Sequence, residues 1–300
     1  LKLVMGNRHH SRRKFFQHVT RTLRKKPAAF PHDDLLFEKY SRKSGGQRLN
    51  GSGLHNFSTA PESAAEARVN PVTSGLSPYT GDWTIWEVLH LLRRTGYGSK
   101  KSDADIFLGM GLQASVQAVL NVNTAEAPPV NYYQPFFDDE NGLPYGADWT
   151  NDVIDSLYTG YATNKNRINS LNYWMMGLAL TQNATIREKM TWFWYHIMPV
   201  DFGAVYNSGH PYVITNCSRI LYRYMKMCRD YSVGNYKLLV KEMAKQPAMM
   251  FYLNNQANSA TAPDENFARE LMELFTLGKD SVSQFTQSDV VEAAKVLTGW

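Results

Sequence analysis

The sequence predicts a mainly α protein, a multi-helix globular domain with long loops and little or no β-sheet. Three observations predict it. Apolar residues recur every three or four positions in segment after segment, the spacing of a helix with ~3.6 residues per turn. No run of useful length alternates apolar and polar residues as a half-buried strand does. Ser, Thr, Asp or Asn precedes many of the periodic segments and Pro or Gly follows them, the punctuation of helix ends. No repeat of fixed period stands out. With 43% apolar and 13% aromatic residues, 300 residues can build a sizeable core.

Residues 1–81 read as a basic arm and a Ser/Gly/Pro-rich linker, and 82–300 as the helical domain. Residues 1–50 hold 13 Lys/Arg against 3 Asp/Glu, whereas 51–300 hold 19 against 24. The high isoelectric point therefore belongs to the arm. The mildly acidic body argues against nucleic acid as its partner. Ser11-Arg12-Arg13-Lys14-Phe15-Phe16 has the look of a twin-arginine export box. Residues 18–26 are too charged for the apolar stretch that must follow such a box, so a solvated arm able to touch anionic surfaces weakly is the plainer reading. The sequence begins at Leu1, with Met5 a possible start, and its end at Trp300 suggests a missing continuation.

Asp82 is expected to cap a first helix to about Arg94, with Trp86, Leu89, His90 and Arg93 on one face and His90 as a core histidine. Ser102 opens a second helix, and 113–120 form a third. Residues 121–149 carry four prolines and many Asn, Tyr and Phe, so a functional loop forming one wall of a cleft is expected. A helix over 166–181 buries Leu171, Trp174, Met175 and Leu178. Thr185 and Glu188 form a capping box for the next helix, which runs to Met198 with Ile186, Met190, Phe193, Trp194 and Ile197 inside. Glu188, Trp192 and His196, at i, i+4 and i+8, form a column on its other side. Residues 201–210 read as a loop. Residues 212–229 form a helix with Leu221, Tyr224, Met225 and Cys228 at core spacing, and 235–245 form another. Pro247 opens a short helix, and 254–262 are a polar loop.

Residues 263–278 read as a short helix capped by Asp264 and closed by Gly278. Phe267, Ala268, Leu271, Met272, Leu274 and Phe275 lie on one side, and Glu265, Asn266, Arg269, Glu270 and Glu273 on the other. Thr286 and Asp289 cap a final helix over 290–297.

Cys217 and Cys228 lie eleven apart in one helix, ~16 Å along its axis, and are read as two buried thiols. No zinc-ligand spacing, nucleophile elbow, phosphate loop or dinucleotide fingerprint is present, so no metal and no cofactor are expected. No apolar run approaches the ~20 residues of a membrane span.

The motif Asp264-Glu265-Asn266-Phe267-Ala268-Arg269-Glu270-Leu271-Met272-Glu273-Leu274-Phe275-Thr276-Leu277-Gly278 resembles the bacterial family called domain of unknown function 1800. Phe285-Thr286, Asp289-Val290 and Leu297-Thr298-Gly299-Trp300 follow in the family's order. His90 to Gly98, Arg187 to Thr191, Phe193-Trp194, Pro247-Ala248-Met249 and Tyr252 to Asn255 are similar to its earlier motifs, so the resemblance covers about 82–300. Tyr195-His196-Ile197-Met198 and Phe275 replace segments where the family carries histidines. A metal site built from those histidines is not expected in this chain. The resemblance implies a secreted or envelope-located bacterial protein. It also implies a co-encoded exported partner of sulfatase-like character. It implies no reaction.

Two polar faces carry the functional expectation. The sharper one is a hydrolase acting on an envelope or extracellular polymer, with Glu188, His196, Glu270 and Glu273 as catalytic candidates. Arg187, Trp192, Asn266 and Arg269 are then the substrate-binding candidates. The alternative is a non-catalytic scaffold or binding module of a cell-envelope assembly, in which Arg269 merely ladders Glu265 and Glu273 at i, i+4 spacing. The two differ geometrically: the enzyme needs both polar faces converging on an open cleft.

Overall fold

The computed structural model describes residues 77–122, 125–132, 137–154, 157–279 and 284–299. The basic arm, the twin-arginine-like box and the linker lie outside the described residues. Residues 78–300 form one compact unit. Among the described residues there are eleven α-helices, one 3-10 turn and two isolated β-bridges, with no strand. The mainly α expectation holds.

The helices are α1 (Ile85–Thr95), α2 (Lys101–Met110), α3 (Leu112–Leu120), α4 (Leu157–Thr181), α5 (Arg187–Ile197), α6 (Phe202–Tyr206), α7 (Pro211–Asp230), α8 (Tyr236–Met243), α9 (Pro247–Tyr252), α10 (Asn266–Glu273) and α11 (Gln287–Val296). α7 is the hub. It packs along α4, across α5, and against α6, α8 and α9. Its inward side carries Val213, Cys217, Ile220, Leu221, Tyr224, Met225 and Cys228, all buried. A separate small core unites α1, α2 and α3 through Val88, Leu92, Phe107 and Val119, and a third joins α10 to α11 through Ala268, Val290 and Ala294.

The α4–α7 seam is unusually close. A Cβ on Gly160 would lie 2.6 Å from the Ile214 carbonyl oxygen, so only glycine permits this approach. One turn on, the buried Asn164 amide donates to Ile214 O at 2.6 Å and accepts from Ser218 N–H at 2.7 Å. These are the two groups that a helix pairs with each other across its i to i+4 step, so Asn164 docks α4 onto the backbone of α7.

Several local expectations are corrected. Thr84, not Asp82, caps α1, in a reciprocal capping box with Glu87. His90 is exposed, and Trp86 is 59% exposed, because the buried stripe runs through Val88, Leu92 and Thr95 instead. α4 starts at Leu157, well before 166. The loop expected at 201–210 contains α6, whose first N–H groups, Gly203 and Ala204, bond Asp201 Oδ1. Leu274 sits beyond the last turn of α10 and is 49% exposed.

The described parts of the 121–149 stretch fold onto α4. Val130 bridges Asp148, Trp174 Nε1 donates to Ala127 O at 2.8 Å, and Trp149 is fully buried with Nε1 on Ser170 Oγ at 3.1 Å. In place of a cleft wall, it is a strap.

Candidate functional site

The first polar column belongs to α5, and the structure turns its first member, Glu188, inward while His196 at the other end stays exposed. The buried positions of α5 and its C-terminal end are Glu188, Thr191 and Met198, while Phe193 is 47% exposed. The predicted inner face was therefore rotated. The reason is Arg229 on α7. Its Nε and Nη2 both donate to Glu188 Oε1, at 2.9 and 2.7 Å, and both side chains are over nine-tenths buried. A carboxylate so neutralised can enter the core, and α5 rotates to let it in. The capping box with Thr185 does not form, because Glu188 is engaged with Arg229 and the helix starts after Ile186. Glu126 joins at the rim, 3.3 Å from Arg229 Nη2.

Around this pair Trp174, Met175, Leu178, Thr191, Trp192 and Met225 leave a cavity of about 10 Å³, room for one water and no substrate. Trp192 is half-buried against the core and meets Tyr195 edge-to-face, so it is no open stacking plate. Arg187 reaches Val122 O at 2.8 Å. Burial, with repulsion from Arg229 second, lowers the Arg187 pKa. His196 is exposed, at the opposite end of α5 from Glu188.

The second polar column belongs to α10 and stays at the surface. Arg269 Nη2 bonds Glu265 Oε2 and Gln287 Oε1, each at 2.8 Å, and Gln287 Nε2 returns to Glu265 Oε2 at 2.7 Å. Arg269 Nη1 lies 3.6 Å from Glu273, which Lys279 meets from the other side at 3.0 Å. Lys279 first, and Arg269 after it, hold the Glu273 carboxyl below its ordinary pKa. Asn266 reaches back to Leu253 O at 2.8 Å. Glu270 is half-buried, and among the described residues nothing bonds its carboxylate.

The two columns are engaged separately. α5 packs on α7 and α4, and α10 packs on α11. An aromatic link runs between the α5 region and the segment that follows α10. The Tyr236 ring stacks on Trp194 at 5.2 Å, and its hydroxyl donates to Phe275 O at 2.5 Å. Among the described residues no three His, Cys, Asp or Glu side chains gather as a metal site would require.

The comparisons with known proteins give a family. The family model described as Protein of unknown function (DUF1800) matches residues 90–300. This chain belongs to the DUF1800 family. No curated protein and no solved structure matches it.

The DUF1800 match spans the two most buried charge clusters of the described fold, and one of them was missed by sequence reasoning. Arg167 on α4 is 1% exposed. Its Nε and Nη2 meet Asp139 at 2.8 and 2.6 Å, and Nη2 also bonds Asp152 at 2.6 Å. Asp139 Oδ1 in turn accepts from the N–H groups of Asn141 and Leu143, and Asn166 holds Glu140 at 2.7 Å. This network fastens the 121–149 strap to α4. A signal was available: Gly160, Asn164 and Arg167 continue the buried row of Leu171 backward at helical spacing. Arg229 likewise continues the row of Met225.

Proposed function

We propose that this DUF1800 chain is a non-catalytic helical scaffold or binding module of a bacterial cell-envelope assembly, working outside the cytoplasm. One observation carries the reading. The buried carboxylate that would have anchored an active site is bound to Arg229 beside a cavity of about 10 Å³. An acid without room for a substrate next to it cannot protonate or deprotonate one. The column on α10 adds weight, since Arg269 Nη2 is engaged by Glu265 and Gln287 and its Nη1 faces Glu273 at 3.6 Å. Half-buried i, i+4 pairs of this kind are ordinary helix structure and contribute ~0.3–0.5 kcal/mol each when open to water. The co-encoded exported protein of sulfatase-like character is the partner we expect.

The test pairs two assays on the full chain. Polysaccharide, ester and phosphate substrates should show no turnover. E270Q/E273Q should keep the wild-type melting temperature and wild-type association with the co-encoded protein. Turnover that vanishes in E270Q/E273Q at unchanged melting temperature would restore the hydrolase reading.

A further inference from the structure

Charge is segregated within the body of the protein. Residues 211–246, the α7–turn–α8 hairpin, hold seven Lys/Arg and two Asp/Glu, inside a 51–300 region that is net acidic. Arg229 is internal, and both acids are occupied: Asp230 by Lys226 at 2.5 Å and Glu242 by Lys245 at 2.6 Å. On α8, Lys237 and Lys241 fall ~40° apart at 100° per residue, and Lys245 follows in the turn just past the helix end. All three are exposed. Among the described residues no carboxylate pairs with Lys237 or Lys241. Leu238 lies ~60° round the helix from Lys241 and is 50% exposed, and Val233, in the turn before α8, is 39% exposed. The opposite side of α8 is the buried one, through Leu239, Val240 and Met243.

An exposed apolar residue beside lysines, two of them without a carboxylate partner, is the pattern of a peripheral membrane contact. Ammonium groups meet anionic headgroups, and the apolar side chains enter the interface. A purely polyanionic polymer would use the lysines and leave Leu238 and Val233 in water. The apolar residues therefore favour a lipid surface.

We propose that the outer face of α8, with Lys237 and Lys241 beside Leu238 and Lys245 in the turn that follows, docks onto membranes rich in anionic phospholipid. This surface stands on charge and exposure alone and does not depend on the scaffold reading. The full chain should sediment with phosphatidylcholine vesicles containing one quarter phosphatidylglycerol, should not sediment with pure phosphatidylcholine, and should be released by salt. Each lysine near such a surface contributes about a fivefold factor in partitioning, so K237Q/K241Q should bind about 25-fold more weakly. The basic arm at 1–50 could bind the same vesicles, and one readout separates the two. In L238C labelled with an environment-sensitive fluorophore, the emission should rise and shift to the blue on anionic vesicles. Cys217 and Cys228 are buried and do not compete for label. Sedimentation with an unchanged probe at 238, or with full binding by K237Q/K241Q, overturns the proposal. Binding to an anionic polysaccharide with none to vesicles overturns it as well.

Discussion

The Asn164 amide and the Gly160 backbone set how closely the two longest helices approach. N164A removes both bonds to α7, at Ile214 O and Ser218 N–H, and should destabilise the fold by ~1–3 kcal/mol in urea denaturation. G160A places a methyl against the Ile214 carbonyl, where backbone must move, and should cost ~1–3 kcal/mol with no loss of any polar contact. Arg167 is the severer case. R167M leaves Asp139, whose side chain is 0% exposed, as an unpaired buried charge, and a loss of ~3–5 kcal/mol is expected. Proteolysis of the 121–149 strap should accelerate in the same variant, since that strap hangs on the Arg167 guanidinium. None of these three residues was singled out in the sequence. A periodicity search looks for apolar residues, and this buried row is written in Gly, Asn and Arg.

Helices with strong apolar stripes or explicit caps were legible, and α5 was not. α7 displays Leu221, Tyr224, Met225 and Cys228 at unbroken core spacing, and all four are buried. At α11 the Thr286–Asp289 capping box forms as its spacing implies. At α10 both expected ends are displaced: the helix runs over Asn266–Glu273, its N-cap Glu265 makes no side-chain cap bond while Asp264 bonds only the Asn266 N–H at 2.8 Å, and Gly278, at φ 84°, lies four residues past the C-cap Leu274. α5 has apolar and aromatic residues on every side, so its orientation is decided by a partner 41 positions away, which no local pattern contains. The caps also have a pH signature. Thr84 lowers the Glu87 pKa through its hydroxyl, and Thr286 lowers that of Asp289 through its backbone N–H. A carboxylate whose folded pKa is depressed stabilises the fold above its unfolded value and loses that contribution as pH falls through the folded one. Helicity at α1 and α11 should therefore persist at pH 5 and weaken below the ordinary values of 4.5 for Glu and 3.8 for Asp. Amide exchange in these first turns at pH 5 and pH 3 reads this directly, and T84A or T286A should remove the difference.

At the scale of the molecule, helices of mixed length are wrapped around α7, and charge serves the interior as much as the surface. Burial pushes the Cys217 and Cys228 thiols up to about 12, so both should resist alkylation at pH 8 in the native state and react together on unfolding. Where the candidate residues meet depended on the tertiary packing of α5, α7, α10 and α11, which spacing along the chain does not encode. Types and faces on α10 could be read beforehand, and the separate engagement of the two columns could not. Glu188 is a structural acid that locks α5 to the hub. Urea denaturation of wild type, R229M and E188L/R229M measures this. R229M should lose ~3–5 kcal/mol by stranding the buried carboxylate, and E188L/R229M should recover most of that loss. An R229M protein within about 0.5 kcal/mol of wild type, as expected for a solvated pair, would contradict it.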